Sequence, residues 1–502
     1  MVKQLYRKNF RRVHILENDL SYLTVRVKII HMNKYKAKIE TKYVYRGVCA
    51  VILTILACMI FFEDWLAFVT ENNQTGHLLG LGNLSMAVII YGLIYSIIGK
   101  YLSAFKIGVN RISNVLASQV LTLFTTDVVE ILVSMAITGQ FRFMGEFTQV
   151  YAITFVFQSV LICPLCILMI GIYRHTFPPL RMVEVVGDHV DSLSRKIAQR
   201  PDKYVVIESM KYDVGEPVLC ETFKLYDAVL INDLPACEKN KILKICFDLD
   251  KRVYFTPKIS DILVKSSDEL NLFDTPLYFC RNRRIPIVQL AVKRLFDILL
   301  SLFALVVLSP LLLITALAIK LEDGGDVFFT QDRCTIDGRV FKIYKFRSMI
   351  MDAEKDGRPH PAGEKDDRIT KVGRVIRACR IDELPQLINI VKGDMSIVGP
   401  RPERVEHVEM YTKEIAEFPF REKVKGGLTG YAQVYGKYNT SALDKLKLDM
   451  IYITNYSILL DIQIIFETVK ILFQKESTEG FSEEQQQKVE NFEEKDKDGK
   501  ES

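Results

Sequence analysis

Long apolar blocks separated by short polar segments dominate the first third of the chain. Four such blocks cover residues 44–69, 84–98, 115–137 and 150–173. Each is close to the ~20 residues that an α-helix needs to cross a bilayer. The pattern therefore predicts four transmembrane helices between residues 44 and 178.

The distribution of charge predicts how these helices are oriented. Only acidic residues follow the first block, whereas lysine and arginine follow the second and fourth blocks and are in excess in residues 1–43. Because basic residues accumulate on the cytoplasmic side of membrane proteins, the N-terminal arm and everything after the fourth block are predicted to be cytoplasmic. No recognition motif accompanies the basic arm, so nucleic acid is not a predicted partner.

Two acidic residues, Asp127 and Glu130, lie inside the third apolar block. Their spacing of three places them on one face of a helix. Carboxylates inside a membrane segment often belong to functional sites. The alternative is that they pair with polar groups of a neighbouring helix or lie near the end of their own.

Residues 179–286 change to an alternating α/β pattern. Short β-rich runs at 182–186, 204–207, 228–231 and 253–255 are separated by helical stretches such as 190–198 and 239–249. This alternation predicts a small Rossmann-like domain with a parallel sheet. Gly187 follows the first strand, but no G-x-G-x-x-G motif is present, so a structural or regulatory domain is favoured over a nucleotide site.

A fifth apolar block at residues 296–321 is interrupted by Ser309 and Pro310. A proline inside a helix removes a hydrogen bond and bends the helix. A crossing here would carry the rest of the chain to the outer side, so we predict a re-entrant hairpin; a kinked span is the alternative. The later apolar run at 462–473 fits either an interfacial helix or a core helix.

Composition agrees with membrane segments joined to polar domains. Of the 502 residues, 49% are hydrophobic and 25% are charged. Cys163 and Cys166 have the spacing of a redox pair, but they lie within an apolar block, so core packing is predicted. The charged tail, residues 475–502, is predicted to be disordered.

The segment RIDELPQ at 380–386, followed by GDMSIVGPRP at 393–402, combines two adjacent carboxylates with arginines and prolines. Asp382 and Glu383 lie beside a proline at a predicted helix start, where backbone N–H groups and the helix dipole favour negative charge. Side-by-side carboxylates surrounded by basic residues suit a phosphate site with a metal ion between the like charges. Helix capping alone is the simpler alternative.

Seven motifs occur in order and carry a family resemblance. They are VKRLFD (292–297), FKIYKFRSM (341–349), DRIT (367–370), GR (373–374), RIDELPQ (380–386), GPRP (399–402) and GLTGYAQV (427–434). Residues from about 292 to 473 thereby resemble the bacterial sugar transferase family, the monotopic polyprenyl-phosphate phosphoglycosyl transferases. The four spans and the α/β domain resemble the long form of that family.

This resemblance implies an enzyme that transfers sugar 1-phosphate from a UDP-sugar to undecaprenyl phosphate and releases UMP, starting exopolysaccharide, capsule or O-antigen synthesis. It implies a ping-pong route in which Asp382 is the nucleophile and Glu383 assists it, and Mg²⁺ is expected on this pair. The implied fold is a four-helix transmembrane bundle, the Rossmann-like domain, and a mainly helical catalytic domain at 287–474 with a re-entrant membrane hairpin.

Further residues are candidates for binding the phosphates or the uridine of the substrate. They are Lys345, Arg347, Arg368, Arg380, Pro400, Arg401 and Gln433. Arginine suits two-point phosphate recognition and lysine acts as a point charge. The chain departs from the family pattern at Gly426, where proline is common, at Thr335, where glycine is usual, and at Tyr431, where tryptophan is common.

The predicted location is the bacterial inner membrane, with the catalytic domain on the cytoplasmic side against the lipid bilayer. A homodimer is a further expectation from the resemblance. A non-enzymatic membrane scaffold for polysaccharide assembly is the alternative function, although a scaffold has no need of Asp382 and Glu383. A polytopic phosphosugar transferase is disfavoured because it would need about ten spans.

Overall fold

The computed structural model describes residues 41–68, 70–71, 81–139, 141–187, 193–280, 285–351, 368–436 and 440–472. Nearly all of the predicted basic arm and the whole predicted disordered tail lie outside the described residues. The chain divides into two compact units, Met1–Tyr254 and Phe255–Ser502. The predicted domain boundaries at 43/44, 178/179, 286/287 and 474/475 stay predictions.

The first unit begins with four helices at the predicted apolar blocks. They are α1 (Thr41–Phe68), α2 (Leu81–Tyr101), α3 (Ile112–Thr138) and α4 (Met144–Thr176). Three of the helices in the described residues are long and apolar enough to cross a membrane, whereas the apolar part of α2, Ser85–Tyr101, is shorter. Stacked aromatic rings fill the space between the helices: Trp65 packs against Phe61 and Phe147, with ring centroids 6.1 and 5.7 Å away.

A small sheet follows, as the α/β pattern predicted. The elements are β1 (Leu180–Val186), α5 (Leu193–Ala198), β2 (Tyr204–Lys211), α6 (Glu216–Leu225), β3 (Ala228–Asn232), α7 (Ala236–Asp248) and β4 (Arg252–Phe255). The strand order is β2-β1-β3-β4, and β1 pairs in parallel with both neighbours. Val183, Val185 and Val229 are fully buried, which explains the apolar runs in the sequence.

Polar contacts connect this sheet domain to the helices of the same unit. Arg200 donates from Nη2 to the carbonyl oxygen of Val109, in the loop before α3, at 3.1 Å. Arg174, in the last turn of α4, forms an ion pair of 3.1 Å with Asp202. The sheet therefore lies at the end of the bundle where the basic residues are concentrated.

The second unit starts with α8 (Ile259–Lys265) and a hairpin of β5 (Asp268–Leu272) and β6 (Thr275–Phe279), followed by α9 (Ile287–Val307) and α10 (Ser309–Asp323). The last two helices meet at a bend of 62°. Pro310 lies in the first turn of α10, where its missing N–H costs little. Ser309 Oγ donates to the carbonyl oxygen of Val306 at 2.7 Å. The predicted break at Ser309 and Pro310 is thus confirmed, and its apolar flanks are exposed: Phe303 by 66% and Leu313 by 71%.

The rest of the second unit is mainly helical. Its elements are β7 (Phe328–Cys334), β8 (Val340–Phe346), α11 (Lys371–Ala378), α12 (Gln386–Lys392), β9 (Ser396–Val398), α13 (Val405–Glu414), β10 (Gly427–Thr429), α14 (Tyr431–Tyr435), α15 (Ala442–Thr454) and α16 (Ile458–Leu472). The antiparallel pair β7–β8 and the parallel pair β9–β10 are short. Ile464 of α16 is fully buried with Met450 and Val398. One face of α16 therefore packs in the core, whereas Ile462 and Val469 are exposed; an interfacial position for the run at 462–473, whose last residue lies outside the described residues, stays a prediction.

Candidate active site

Asp382 and Glu383 lie on a single 3-10 turn, Ile381–Glu383, between α11 and α12. Arg380, just before the turn, has a left-handed backbone with φ of 54°. Leu384 and Pro385 have helical backbone angles and link the turn to α12, which is seven residues long. Asp382 therefore lies at the start of a helical stretch, as predicted, although its first turn is a 3-10 turn. Stabilisation by the helix dipole stays a prediction. Charged side chains also act on Asp382.

Glu383 joins two basic side chains that are distant in sequence. Its Oε1 accepts from Lys345 Nζ at 3.1 Å and from Arg401 Nη2 at 2.7 Å. The Glu383 side chain is only 13% exposed. Burial opposes ionisation of this carboxyl, but Arg401 and Lys345 outweigh it and hold the pKa of Glu383 well below its usual range. Glu383 is thus a fixed negative charge that orients both cations.

Asp382 is half-buried and differs from its neighbour. Within the described part of the chain its carboxylate accepts no hydrogen bond and joins no ion pair. Burial, and then the charge of Glu383, raise the pKa of Asp382, while Lys345, Arg377 and Arg401 oppose the rise. The result is an unpartnered carboxylate close to positive charge, which suits a nucleophile better than a structural ion pair does.

Lys345 is positioned by a buried asparagine on α12. Asn389 accepts from the backbone N–H of Tyr344 at 2.9 Å and donates from Nδ2 to the carbonyl oxygen of Lys342 at 2.8 Å. Since the β7–β8 pair has only two strands, this edge of β8 would otherwise lack partners. Asn389 therefore replaces a third strand and fixes Lys345 opposite the acidic turn.

Replacing Asn389 tests this role. Asn389→Leu should lower the free energy of unfolding by about 1–3 kcal/mol, because the Tyr344 N–H and the Lys342 carbonyl would remain buried without partners. Turnover should fall as Lys345 loses its position. Asn389→Asp is the matched variant, since it keeps the acceptor and loses only the donor. Its stability and turnover should lie between those of the wild type and of Asn389→Leu. Denaturant unfolding and turnover measure both effects; a fully active leucine variant would contradict this role.

Arg401 is held by close contact between two backbone segments. Gly399 N donates to the carbonyl oxygen of Thr429 at 2.9 Å, and a Cβ on Gly399 would come within 2.3 Å of the carbonyl oxygen of Lys425. Likewise, a Cβ on Gly430 would come within 2.1 Å of the Gly399 carbonyl oxygen. The glycines of GPRP and GLTG are therefore needed for packing as well as for turning.

A buried ion network lies behind this loop. Arg421 is 4% exposed; it binds the fully buried Asp449 at 2.8 Å and Glu403 at 3.3 Å, and donates to the Arg401 carbonyl oxygen at 3.0 Å. Burial opposes ionisation of Glu403, but Arg421 and other cations lower its pKa to about 2. Arg421 thus fixes the backbone from which Arg401 reaches Glu383.

The remaining predicted residues occupy different positions. Arg347 binds Asp323 with two contacts, at 2.6 and 2.5 Å, rather than Glu383. The backbone of Arg368 pairs with Ile350, and Pro400 accepts from the Gly427 N–H at 2.8 Å. Gln433 Nε2 donates weakly to the Leu428 carbonyl oxygen at 3.4 Å. Of the predicted set, the structure joins Lys345, Glu383 and Arg401 directly; substrate contacts by the others stay predictions.

Two basic residues were missed by the sequence reasoning. Arg377, on α11, is half-buried and acts electrostatically on Asp382. Arg333, on β7, donates to the Pro402 carbonyl oxygen at 3.2 Å and has its pKa lowered to about 10 by burial and by Arg401. The signal for Arg377 was its place five residues before Asp382, on a helix that leads into the acidic turn. Arg333 had no comparable signal.

The two departures from the family pattern at Thr335 and Gly426 lie in contact. Thr335 Oγ1 accepts from the Gly426 N–H at 3.0 Å and donates to the Asp394 carbonyl oxygen at 3.1 Å. A proline at 426 would have no N–H to donate. The threonine hydroxyl therefore holds the Gly426 backbone in place where the family commonly has proline.

Asp382 and Glu383 could supply part of the coordination shell of the expected Mg²⁺, but not all of it. In the described residues, no group of three or more His, Cys, Asp or Glu side chains converges as a metal centre. Magnesium in phosphate-transfer enzymes is usually held by one or two carboxylates, with substrate phosphates and water completing the octahedron. Asp382 is free to bind it, while Glu383 Oε1 is already used by Lys345 and Arg401.

The N-terminal part of α9 is bound to the segment that carries Arg401. Asp297 Oδ1 accepts from Ser396 Oγ at 3.1 Å and from the Ile397 N–H at 3.0 Å. Lys293 donates to the Val398 carbonyl oxygen at 2.9 Å, and Arg294 donates to the last carbonyls of α12. The VKRLFD motif therefore connects α9 of the bent helix pair to the segment that carries Arg401.

Comparison with known proteins shows which sequences this chain resembles. The family model for bacterial sugar transferases matches residues 288–475. The chain is 40% identical over 261 residues to the UDP-N-acetylgalactosamine-undecaprenyl-phosphate N-acetylgalactosaminephosphotransferase of Aeromonas hydrophila, covering 49% of the chain and 59% of that protein. It is 41% identical over 220 residues to the UDP-glucose:undecaprenyl-phosphate glucose-1-phosphate transferase of Escherichia coli K12, covering 42% of the chain and 46% of that protein.

The chain thus spans about half the length of these two relatives. A third relative is matched almost completely: the exopolysaccharide production protein PSS of Rhizobium leguminosarum is 39% identical over 190 residues, which are 36% of the chain and 95% of that protein. The region matched by the family model, residues 288–475, contains the acidic turn, Lys345 and Arg401. On these residues and these matches, the chain belongs to the bacterial sugar transferase family.

Proposed function

We propose that this protein transfers sugar 1-phosphate from a UDP-sugar to undecaprenyl phosphate and releases UMP, as an initiating step of exopolysaccharide, capsule or O-antigen synthesis. The observation that carries the proposal is the unpartnered Asp382 carboxylate beside the Glu383–Lys345–Arg401 ion group. The names of the Aeromonas and Escherichia relatives supply the substrate classes. Those two relatives use different sugars at similar identity, so the sugar of this chain is left open.

The proposed reaction has two steps. A carboxylate oxygen of Asp382 attacks the phosphorus that bears the sugar; an acyl phosphate bond forms, and the bond to the UMP oxygen breaks with its electron pair leaving on UMP. An oxygen of the lipid phosphate then attacks the same phosphorus, and the Asp382 carboxylate is regenerated. Covalent catalysis of this kind divides one transfer between two bulky phosphates into two simpler displacements.

The basic residues stabilise the charge of both steps. Arg401 and Lys345 are held by Glu383, so their orientation does not have to be created when the diphosphate binds. Arg377 adds positive charge on the side of α11. Mg²⁺ bound by Asp382 and Glu383 would neutralise charge on the diphosphate and the departing UMP. Each lost charge-assisted contact should raise the barrier by about 2–4 kcal/mol.

We also propose that α9 and α10 form a re-entrant hairpin. Both ends of the pair bind the same compact unit: Asp297 binds Ser396 and Ile397 at one end, and Asp323 binds Arg347 at the other. Between these anchors each arm is about 18–21 Å long at 1.5 Å per residue, roughly two-thirds of the ~30 Å of a hydrocarbon core and too short to cross it. Support also comes from the exposed apolar side chains around the bend, such as Val306 and Ile314.

The bundle completes the proposed topology. We propose that α1 to α4 each cross the inner membrane, so that the sheet domain and the catalytic domain both lie in the cytoplasm, where UDP-sugars are made. The basic residues at the same end of the bundle as the sheet domain support this orientation. The short apolar part of α2 would cross with little tilt. A homodimer remains a prediction.

Reporter fusions test the topology. A reporter that is active only outside the cytoplasm should stay inactive after Gly324, which follows α10, and after Phe177, which follows α4. It should be active in the loop between α3 and α4. Activity after Gly324 with none after Phe177 would mean that α9 and α10 cross the membrane, and the hairpin would be excluded.

An assay of UMP release tests the activity. Membranes containing the full chain should release UMP from one UDP-sugar in a panel, with turnover only when undecaprenyl phosphate is added. A chelator should stop release and excess Mg²⁺ should restore it. If no sugar in a broad panel gives UMP, a non-enzymatic scaffold for polysaccharide assembly becomes the better description of the protein.

A further inference from the structure

The buried face of α3 is unusually polar for a membrane helix. Its buried polar side chains repeat at intervals of three or four residues along the helix. They are Ser118, Gln119, Thr122, Thr126, Asp127, Glu130 and Ser134. Thr122 and Thr126 satisfy their own hydroxyls by donating to the carbonyl four residues earlier. The carboxylates of Asp127 and Glu130 cannot do the same, because a carboxylate has no proton to donate to a backbone carbonyl.

Asp127 and Glu130 are the most deeply buried acids of the bundle, with exposures of 4% and 0%. Asp127 Oδ1 accepts from the Tyr91 hydroxyl of α2 at 3.0 Å, and that hydroxyl accepts from Gln158 Nε2 of α4 at 2.9 Å. Asp127 Oδ2 and both carboxylate oxygens of Glu130 have no hydrogen-bond partner. Three buried acceptor atoms are therefore unsatisfied at one place.

No basic side chain compensates these charges. In the described part of the four helices, Lys42, Arg46, Lys100 and Arg174 all lie at helix ends, and no ion pair involves Asp127 or Glu130. The groups that face the two carboxylates are Asp64 of α1, whose Oδ2 accepts from Thr154, and Tyr151 of α4, whose hydroxyl contacts Ser134. These neighbours are acidic or neutral, so the site is short of positive charge.

We propose that Asp127 and Glu130 bind an exchangeable monovalent cation, either a proton or an alkali metal ion, in the core of the bundle. An ionised carboxylate buried without a partner costs several kcal/mol, and a bound positive charge removes that cost. The hydroxyl of Tyr91 and the amide oxygen of Gln158 are neutral oxygen atoms beside the carboxylates and suit a weakly charged ion. A divalent centre fits less well, since no three acidic side chains converge here in the described residues.

The single tryptophan of the chain reports on this site directly. Trp65 follows Asp64 on α1, is 4% exposed and stacks on Phe61, which in turn stacks on Tyr91 at 4.3 Å. Tryptophan fluorescence of the full chain in nanodiscs therefore observes the bundle alone. Thermal unfolding would be followed at equal ionic strength in choline, sodium and potassium chloride, from mildly acidic to mildly alkaline pH.

In choline chloride, the unfolding temperature should fall as the pH rises, because the bound proton is lost and buried negative charge remains. If sodium or potassium restores the unfolding temperature at alkaline pH, the bound cation is an alkali ion. If neither ion restores it, the bound cation is a proton. Glu130→Gln and Asp127→Asn should abolish the dependence, whereas Glu63→Gln, which changes an exposed carboxylate of α1, should keep it. A wild-type unfolding temperature independent of both pH and salt would overturn the proposal, even if the variants failed to fold.

Discussion

Asp382→Asn should lower the rate of sugar-phosphate transfer by about 10⁴-fold or more, the scale of loss seen when a covalent nucleophile is removed. The amide keeps the size of the carboxylate but cannot form the acyl phosphate. The side chain has no hydrogen bond or ion pair within the described residues, so the variant should fold normally. The loss can therefore be read as chemistry rather than as unfolding.

The covalent intermediate gives a second measurement for the same change. Without lipid acceptor, the wild type should release about one UMP per enzyme in a burst and retain the sugar phosphate on the peptide that contains Asp382. The asparagine variant should show neither the burst nor the mass increase. Asp332→Asn, which changes an exposed acid on β7, is the matched control and should keep both. Normal turnover in the Asp382→Asn variant, or a label on another peptide, would refute the assignment.

Glu383→Ala should have the second largest effect, because it leaves Lys345 and Arg401 side by side without their shared anion. Loss of one partner from a largely buried ion group costs about 3 kcal/mol of folding free energy. Transfer activity should also collapse, since Arg401 and Lys345 lose the group that orients them. Denaturant unfolding and turnover would be measured on the same preparation.

A double-mutant cycle separates the two effects. Adding Lys345→Met to Glu383→Ala removes one of the unpaired cations and should recover part of the stability, with a coupling energy of about 0.5–3 kcal/mol, but no activity. The buried pair Glu467 and Lys470 on α16 provides the control, because the same changes there should alter stability and spare turnover. Recovery of activity in the double variant would show that the charges have no catalytic role.

Local patterns in the sequence predicted much of the fold. The apolar blocks gave the four helices of the first unit within a few residues, and the α/β alternation gave β1 to β4. Ser309 and Pro310 gave the bend. These features could be predicted because each depends on the composition of a short segment. The hydrogen bonds from Asn389 to the free edge of β8 could not be predicted, because they join residues 45 positions apart in the sequence.

In the active site, too, the residues could be predicted from local motifs, but their contacts could not. Asp382, Glu383, Lys345 and Arg401 were identified from their motifs, but the motifs could not show that Glu383 binds both cations while Asp382 stays free. Arg347 lies in the same motif as Lys345, two residues later, yet binds Asp323. The motifs also could not show that Arg380 has a left-handed backbone just before the acidic turn, because arginine has no intrinsic preference for that conformation.

The two helices of the bent pair each hold one of the helices that flank the acidic turn. Glu322, at the end of α10, accepts from the first N–H groups of α11, and Arg294 on α9 binds the last carbonyls of α12. Shortening the protein into a water-soluble fragment by deleting the bent pair would therefore remove both braces at once. Enzymologists who want a detergent-free catalytic domain should expect a misaligned Asp382, and should instead keep the pair and replace its exposed apolar side chains, such as Phe303 and Leu313, with polar ones.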